Sequence, residues 1–185
     1  MDYILYFFIY SVLGWVLETG FAFVTERRFV VRRNLLKSPM CPVYGLGAVF
    51  LILTLKPVSD SPLLLFCGGF LVASCVEFIY AMFWERFYNV RFWDYRAMSA
   101  NLGGKVCAWF SLCWGVITIL FIRFLEPAIS GAVSALPAYQ KLLFGSFFCI
   151  YFLVDLSKTA KAYKAYGRYE TDELEQIFTY IKRYN

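Results

Sequence analysis

Residues 62–84 read PLLLFCGGFLVASCVEFIYAMFW, twenty-three positions with a single charged side chain, Glu77. An α-helix rises about 1.5 Å per residue, so this run is about 35 Å long as a helix and crosses the roughly 30 Å hydrocarbon layer of a bilayer. Four further apolar runs surround it, over 3–24, 42–55, 106–122 and 136–156. The expected fold is therefore all-α and integral to the membrane, a five-helix transmembrane bundle. The run over 42–55 is short, follows Pro39 and opens on Pro42, which predicts a tilted, partly unwound or broken helix. The run over 3–24 has neither a basic start nor a small-x-small cleavage site, so it reads as a retained span rather than a secretory signal.

Composition agrees with the spans. The chain is 61% hydrophobic and 17% charged, against about 45–50% and 25% in soluble domains. That excludes a water-soluble globule, and the same richness in apolar residues excludes a disordered chain. Histidine is absent, which removes His-based acid/base pairs, Ser-His triads and His metal ligands. The six cysteines form no CxxC pair; they read as small apolar residues inside spans rather than zinc ligands. Neither a metal nor another cofactor is expected, and no nucleic-acid partner.

Basic residues orient the bundle, because cytoplasmic loops hold an excess of Lys and Arg. Fifteen of the eighteen fall on one side: Arg27, Arg28, Arg32, Arg33 and Lys37 in the first loop, Arg86, Arg91, Arg96 and Lys105 in the third, and six in the tail. Lys56, Arg123 and Lys141 fall on the other side. Five crossings then put the amino terminus outside and the tail in the cytoplasm. The chain divides into a membrane domain over 1–157 and a cytoplasmic tail over 158–185. Within the tail, Lys158, Lys161 and Lys164 interleave with Tyr163, Tyr166 and Tyr169, a pattern suited to anionic headgroups. Thr171 then caps an amphipathic C-terminal helix with Leu174, Ile177, Phe178 and Ile181 on one face. That face rests on the membrane or receives another protein.

Glu18 and Glu77 are the most informative residues. Each lies about 15 residues into a span that runs inward, so the two share a depth about 10 Å from the inner helix ends. An ionised carboxylate there costs a few kcal/mol unless it is compensated, and the inner halves of the spans hold no Lys or Arg. Ser11, Gly14 and Glu18 share one helix face at i, i+3 and i+7, as do Ser74, Glu77 and Ala81. Small residues of this kind let membrane helices approach closely. The spacing predicts that both carboxylates face the interior along a polar seam and titrate as a coupled pair. The alternative is that each is neutral, or bridged to a loop arginine, and only fixes packing.

The third loop combines Glu85, Arg91, Trp93, Asp94, Tyr95, Arg96 and Asn101. As an ordinary interface it is an aromatic belt with charges in water. The run Asn101-Leu-Gly-Gly-Lys105 at the head of the fourth span also suggests an anion site, with flexible glycines at a helix N-terminus beside Lys105. It is not a P-loop, since the spacing fails and no Ser or Thr follows Lys105, so the chain is not its own ATPase.

Taken in order, Tyr10-Ser11-x-x-Gly14-Trp15-x-x-Glu18, Pro42-x-Tyr44-Gly45-x-Gly47, Glu77 and Glu85, Trp93-Asp94-Tyr95, Asn101-Leu102-x-Gly104-Lys105-x-Cys107 and Trp114-Gly115 form a recognisable pattern. Over roughly residues 5–118 the chain resembles the ABC-transporter type IV (CmpB-like) permease family. It departs from the family pattern at Arg33-Asn34, at Phe92, at Ser99-Ala100 and at Lys105. The resemblance implies a multi-pass permease-like protein of the bacterial cytoplasmic membrane. It marks Glu18, Tyr44, Glu77, Glu85, Trp93, Asp94, Tyr95 and Asn101, to which the anion reading adds Lys105, as the substrate-binding set. The expected function is transport, with an inward-facing polar pocket for a cation, a proton or a polar head group. Its expected partners are the lipid bilayer, a second copy of the chain in a homodimer, and a separate ATPase subunit docking on the third loop. The competing expectation is an intramembrane lipid-modifying enzyme with carboxylates as acid and base. A structural scaffold is the third.

Overall fold

The computed structural model describes residues 1–26 and 38–166. Its elements are α1 (Asp2–Glu26), α2 (Pro42–Leu55), a 3-10 turn (Lys56–Val58), α3 (Pro62–Tyr88), strands β1 (Asn101–Leu102) and β2 (Val106–Cys107), α4 (Ala108–Leu120), a π-helical turn (Phe121–Leu125), α5 (Glu126–Ser134) and α6 (Ala138–Tyr166). Four helical stretches are long and apolar enough to cross a membrane, and Pro42–Val58 is a shorter apolar helix beside them. The bundle is turned inside out relative to a soluble protein. Ser11 is fully buried and Thr118 nearly so, whereas Leu63, Ile79 and Phe147 lie open on the surface. That is the arrangement expected where the solvent is lipid and backbone and side-chain polar groups must be satisfied internally.

Helix limits follow local chemistry. The Ser61 hydroxyl accepts from the Leu64 N–H and Pro62 fills the first turn, so α3 starts where its missing donor costs nothing. It ends at Asn89, in the left-handed conformation with φ of 53°, whose N–H donates back to the Glu85 carbonyl. The 14 residues of α2 span only about 21 Å. Its entry is fixed by the Cys41 N–H, which donates to the Ser11 carbonyl at 2.8 Å. Thus α2 begins beside the middle of α1. The short second run is a regular helix that starts inside the bundle, neither unwound nor broken between Pro42 and Leu55.

Two expected limits are corrected. The fourth span does not cover 106–122, because Val106 and Cys107 pair as a strand with Leu102 and Asn101. The helical stretch instead runs Ala108–Ser134. It continues past Arg123 because that guanidinium donates to the Ser59 and Asp60 carbonyls, and past Glu126 because Lys56 neutralises it. The fifth span begins after Pro137 rather than at 136 and continues beyond 156 to Tyr166. Thr171 and the amphipathic face at 174–181 lie outside the described residues, as do Arg27, Arg28, Arg32, Arg33 and Lys37 of the first loop.

Glycines set the helix spacing. A Cβ on Gly14 of α1 would collide with the Tyr44 ring of α2, and one on Gly69 of α3 would strike Thr118 of α4. Close approach of this kind supplies the van der Waals contact that holds helices together in lipid. At the end of the bundle bearing Lys56, Leu65 is fully buried among Tyr6, Tyr10, Ile52 and Phe121. At the other end Phe8, Met40, Trp84 and Val90 form a second cluster, with Phe152 of α6 against it. Gly14→Ala should therefore lower stability by about 1–3 kcal/mol through overpacking, while Gly47→Ala, with open space around it, should be neutral or slightly stabilising. Thermal unfolding in detergent micelles checks the pair, and equal effects at the two positions would contradict this packing.

Candidate functional site

Glu77 lies on the buried face of α3 and is 7% exposed. Its two oxygens have different partners. The Tyr95 hydroxyl donates to Oε1 at 3.0 Å and the Trp114 indole N–H donates to Oε2 at 3.1 Å. Tyr95 belongs to the segment between α3 and α4, and Trp114 to α4. One carboxylate thus joins three parts of the chain.

Glu18 on α1 accepts from the Tyr44 hydroxyl at 2.6 Å. Because α2 begins beside the middle of α1, the positive end of its dipole lies toward this carboxylate. The Tyr44 ring meets the Trp114 ring edge to face, with centroids 5.7 Å apart. Glu18 and Glu77 therefore share one interior site through an aromatic pair rather than touching, and they lie within electrostatic reach of each other. Among the described residues neither accepts a hydrogen bond from Lys or Arg. The expected seam is present in altered form: Ser74 donates to Ser111 of α4 at 2.7 Å, while Ser11 bonds the Phe7 carbonyl of its own helix.

The third loop is an ordered cap. Leu102 to Lys105 form a turn closed by the Lys105 N–H to the Leu102 carbonyl at 3.1 Å. Gly103 and Gly104 occupy its centre with φ of 59° and 71°, the sign that a tight hairpin turn requires at both positions. Asn101 holds the turn, accepting from the Gly104 N–H at 3.0 Å and donating to the Met98 carbonyl at 2.8 Å. The glycines are therefore hairpin residues, not the first turn of α4, which begins at Ala108. Lys105 does not stand beside a helix N-terminus as an anion ligand; its ammonium pairs with Glu85 at 2.5 Å. Trp93 donates its indole N–H to the Lys105 carbonyl at 2.7 Å. The Tyr95 N–H donates to the Gly104 carbonyl at 2.9 Å, which clamps the hairpin over Glu77.

Charged groups cluster on this cap. Glu85 also accepts from Arg91, and Asp94 is held by Arg96 at 2.5 Å. The Arg96 guanidinium pulls the Asp94 carboxyl down to about 2, so it is ionised at any physiological pH. Burial, and then the Glu77 charge, push the Tyr95 phenol well above its usual range. Tyr95 thus remains a hydrogen-bond donor. A small pocket lies between the cap and α3, lined by Glu85, Trp93, Lys105 and the small side chain of Ala81. Its volume holds little more than one water molecule. Glu77, Ala81 and Glu85 stand at i, i+4 and i+8 on α3, so the pocket lies on the line from the charged cap to the buried carboxylate.

The nine residues expected from the sequence therefore divide. Glu18, Tyr44, Glu77 and Tyr95 form the interior site, while Glu85, Trp93, Asp94 and Lys105 form the cap above it. Asn101 builds the turn. Sequence reasoning omitted Trp114 from the binding set, although its Trp-Gly pair stood in the motif. It also passed over Asp155 of α6, a buried carboxylate that accepts from the Ser38 hydroxyl at 2.5 Å and the Ser38 N–H at 3.1 Å. A lone acid late in an apolar run was the available signal.

A sequence profile of the family described as "Putative ABC-transporter type IV" matches residues 5–160 of the chain. No curated protein and no solved structure matches it. Removing a partner of Glu77 leaves a buried oxygen unpaired, so Tyr95→Phe and Trp114→Phe should each lower stability by about 1–3 kcal/mol. Glu77→Gln should fold, because an amide accepts from Trp114 and donates to the Tyr95 oxygen. Unfolding of the three variants in detergent checks this ranking.

Proposed function

The chain belongs to this ABC-transporter type IV family, and from that premise we propose that it is a membrane-embedded transport component whose Glu18 and Glu77 bind the positive charge of what it moves. That charge is a proton, a small cation or the amine of a polar head group. One observation carries the reading: two carboxylates on different helices meet in one interior site with only neutral donors on them among the described residues. A purely structural carboxylate in oil is expected to be matched by a cation. These two are instead oriented by Tyr44, Tyr95 and Trp114, which leaves their charge available to a ligand. The short α2, with its N-terminus inside the bundle, is of the kind that surrounds binding sites in transporters.

Access is from the cap. Glu85, Arg91, Asp94, Arg96 and Lys105 carry both signs of charge at its surface, and the Ala81 pocket leads inward. Charge patterning places this end in the cytoplasm. The pocket is too small to enclose a substrate by itself, so a second copy or a partner subunit completes the passage. Energy from ATP requires a separate ATPase, and the exposed hairpin is its docking surface. The lipid-modifying alternative draws less from this geometry, since Asp94, its second acid/base group, is bound by Arg96 and stands on the cap rather than beside Glu77.

Proteoliposomes provide the test. Proton flux, sodium flux and transbilayer movement of an aminophospholipid probe are compared for wild type, Glu18→Gln and Glu77→Gln. At least one activity should exceed that of empty liposomes and fall by an order of magnitude or more in both variants while their melting temperatures stay near wild type. Three activities indifferent to both substitutions would refute the reading. Arg96→Glu should remove the ATP-hydrolysing activity that co-purifies with the tagged chain from its native membrane and leave its thermal stability unchanged.

A further inference from the structure

A second buried carboxylate lies at the opposite end of the bundle, and it is placed there by an irregularity in the helix. Ser111 and Thr118, seven residues apart and both buried, mark the inward stripe of α4. In an unbroken α-helix the next member of that stripe is Leu125. The π-helical turn Phe121–Leu125 accommodates one extra residue, which rotates the following helix and brings Glu126 inward. Glu126 is 2% exposed and Leu125 is 41% exposed. A wide turn that costs hydrogen-bond quality has thus been used to bury an acid and expose a leucine.

The surroundings of Glu126 are divided between oil and water. Lys56 lies 2.7 Å from its Oε1, yet the glutamate side chain is 3% exposed and the lysine side chain 54%. Tyr10 of α1 packs edge to face on Phe121 at 5.1 Å and lies within electrostatic reach of Glu126. Its hydroxyl is buried and has no hydrogen-bond partner. Tyr6 and Tyr3 are the other titratable groups nearby on α1. Asp2 of α1 is held by Lys141 of α6 at 3.1 Å, and Arg123 is engaged by the Ser59 and Asp60 carbonyls. Among the described residues, Lys56 is the cation bonded to Glu126.

We propose that Glu126 is an exchangeable proton site open to the aqueous phase at the Lys56 end of the bundle. A hydronium ion gives its proton to a Glu126 carboxylate oxygen and leaves as water. Lys56 keeps its own proton and swings into the water its stem already reaches. The neutral acid then has an O–H to donate, and the Tyr10 oxygen is the buried acceptor that lacks a partner. The two forms are balanced by opposing costs. In the ion pair a carboxylate is desolvated and Tyr10 is unsatisfied; in the protonated form the Coulomb attraction of Lys56 is lost. This site is separate from Glu18 and Glu77, and its chemistry stands whether or not they carry substrate.

Infrared titration of the full chain in lipid nanodiscs tests it. A protonated-carboxyl stretching band should grow on acidification in wild type and in Glu77→Gln, and the same component should be missing from Glu126→Gln. Lys56→Met removes the charge that favours the ionised form, so the midpoint should rise by about one pH unit or more. Wild type and Lys56→Met carry the test even where Glu126→Gln does not fold. A band that is absent in wild type, that survives Glu126→Gln, or whose midpoint ignores Lys56→Met would overturn the proposal and leave Glu126 as a permanent strut between α2 and α5.

Discussion

The Glu77 carboxylate is the constraint on which this end of the structure rests. Burying it is unfavourable by a few kcal/mol in lipid unless both oxygens find donors. The donors come from Tyr95 and Trp114, so satisfying one side chain fixes α4 against α3 and holds the cap on both. Trp114 in turn carries the Tyr44 ring, and Tyr44 carries Glu18. A chain of neutral donors therefore orders four segments around two negative charges without supplying a cation.

That order requires close helices. The Tyr44 ring reaches Trp114 and Glu18 only because Gly14 leaves room for it against α1, and Thr118 fits α3 only because Gly69 has no side chain. In lipid no hydrophobic force presses helices together, so small residues and buried hydrogen bonds perform that task. The same logic explains the cap. A hairpin of two-residue strands is too short to be stable alone, and it is held by Tyr95 from below and by Glu85 with Lys105 from the side.

The bundle is thus polar at both ends and along parts of its interior. Glu77 with Ser74 and Ser111 occupies one half, and Thr118, Tyr10 and Glu126 the other. Ionisable groups inside membrane proteins mark paths for ions and protons more often than simple struts. Two acidic stations of different design, one dressed by neutral donors and one paired with a lysine, fit a protein that handles charge from both faces.

Amino-acid order alone determined the apolar spans, the family and the identity of the two deep glutamates, because length, hydropathy and motif spacing are local properties written along the chain. It also singled out Tyr44 and Tyr95 through their motif. It could not reveal that Tyr44 serves Glu18 and Tyr95 serves Glu77, since those pairs are 26 and 18 residues apart and meet only when helices pack. The hairpin was read as a helix start because glycine permits either conformation, and strand pairing between Asn101 and Cys107 decided the matter. Glu126 looked like a residue beyond a span, and only a wide turn together with a lysine seventy residues away brought it inside. Tertiary structure decided every partner of a buried charge, because compensation in a medium without water depends on what lies across the interface rather than on what lies next in sequence.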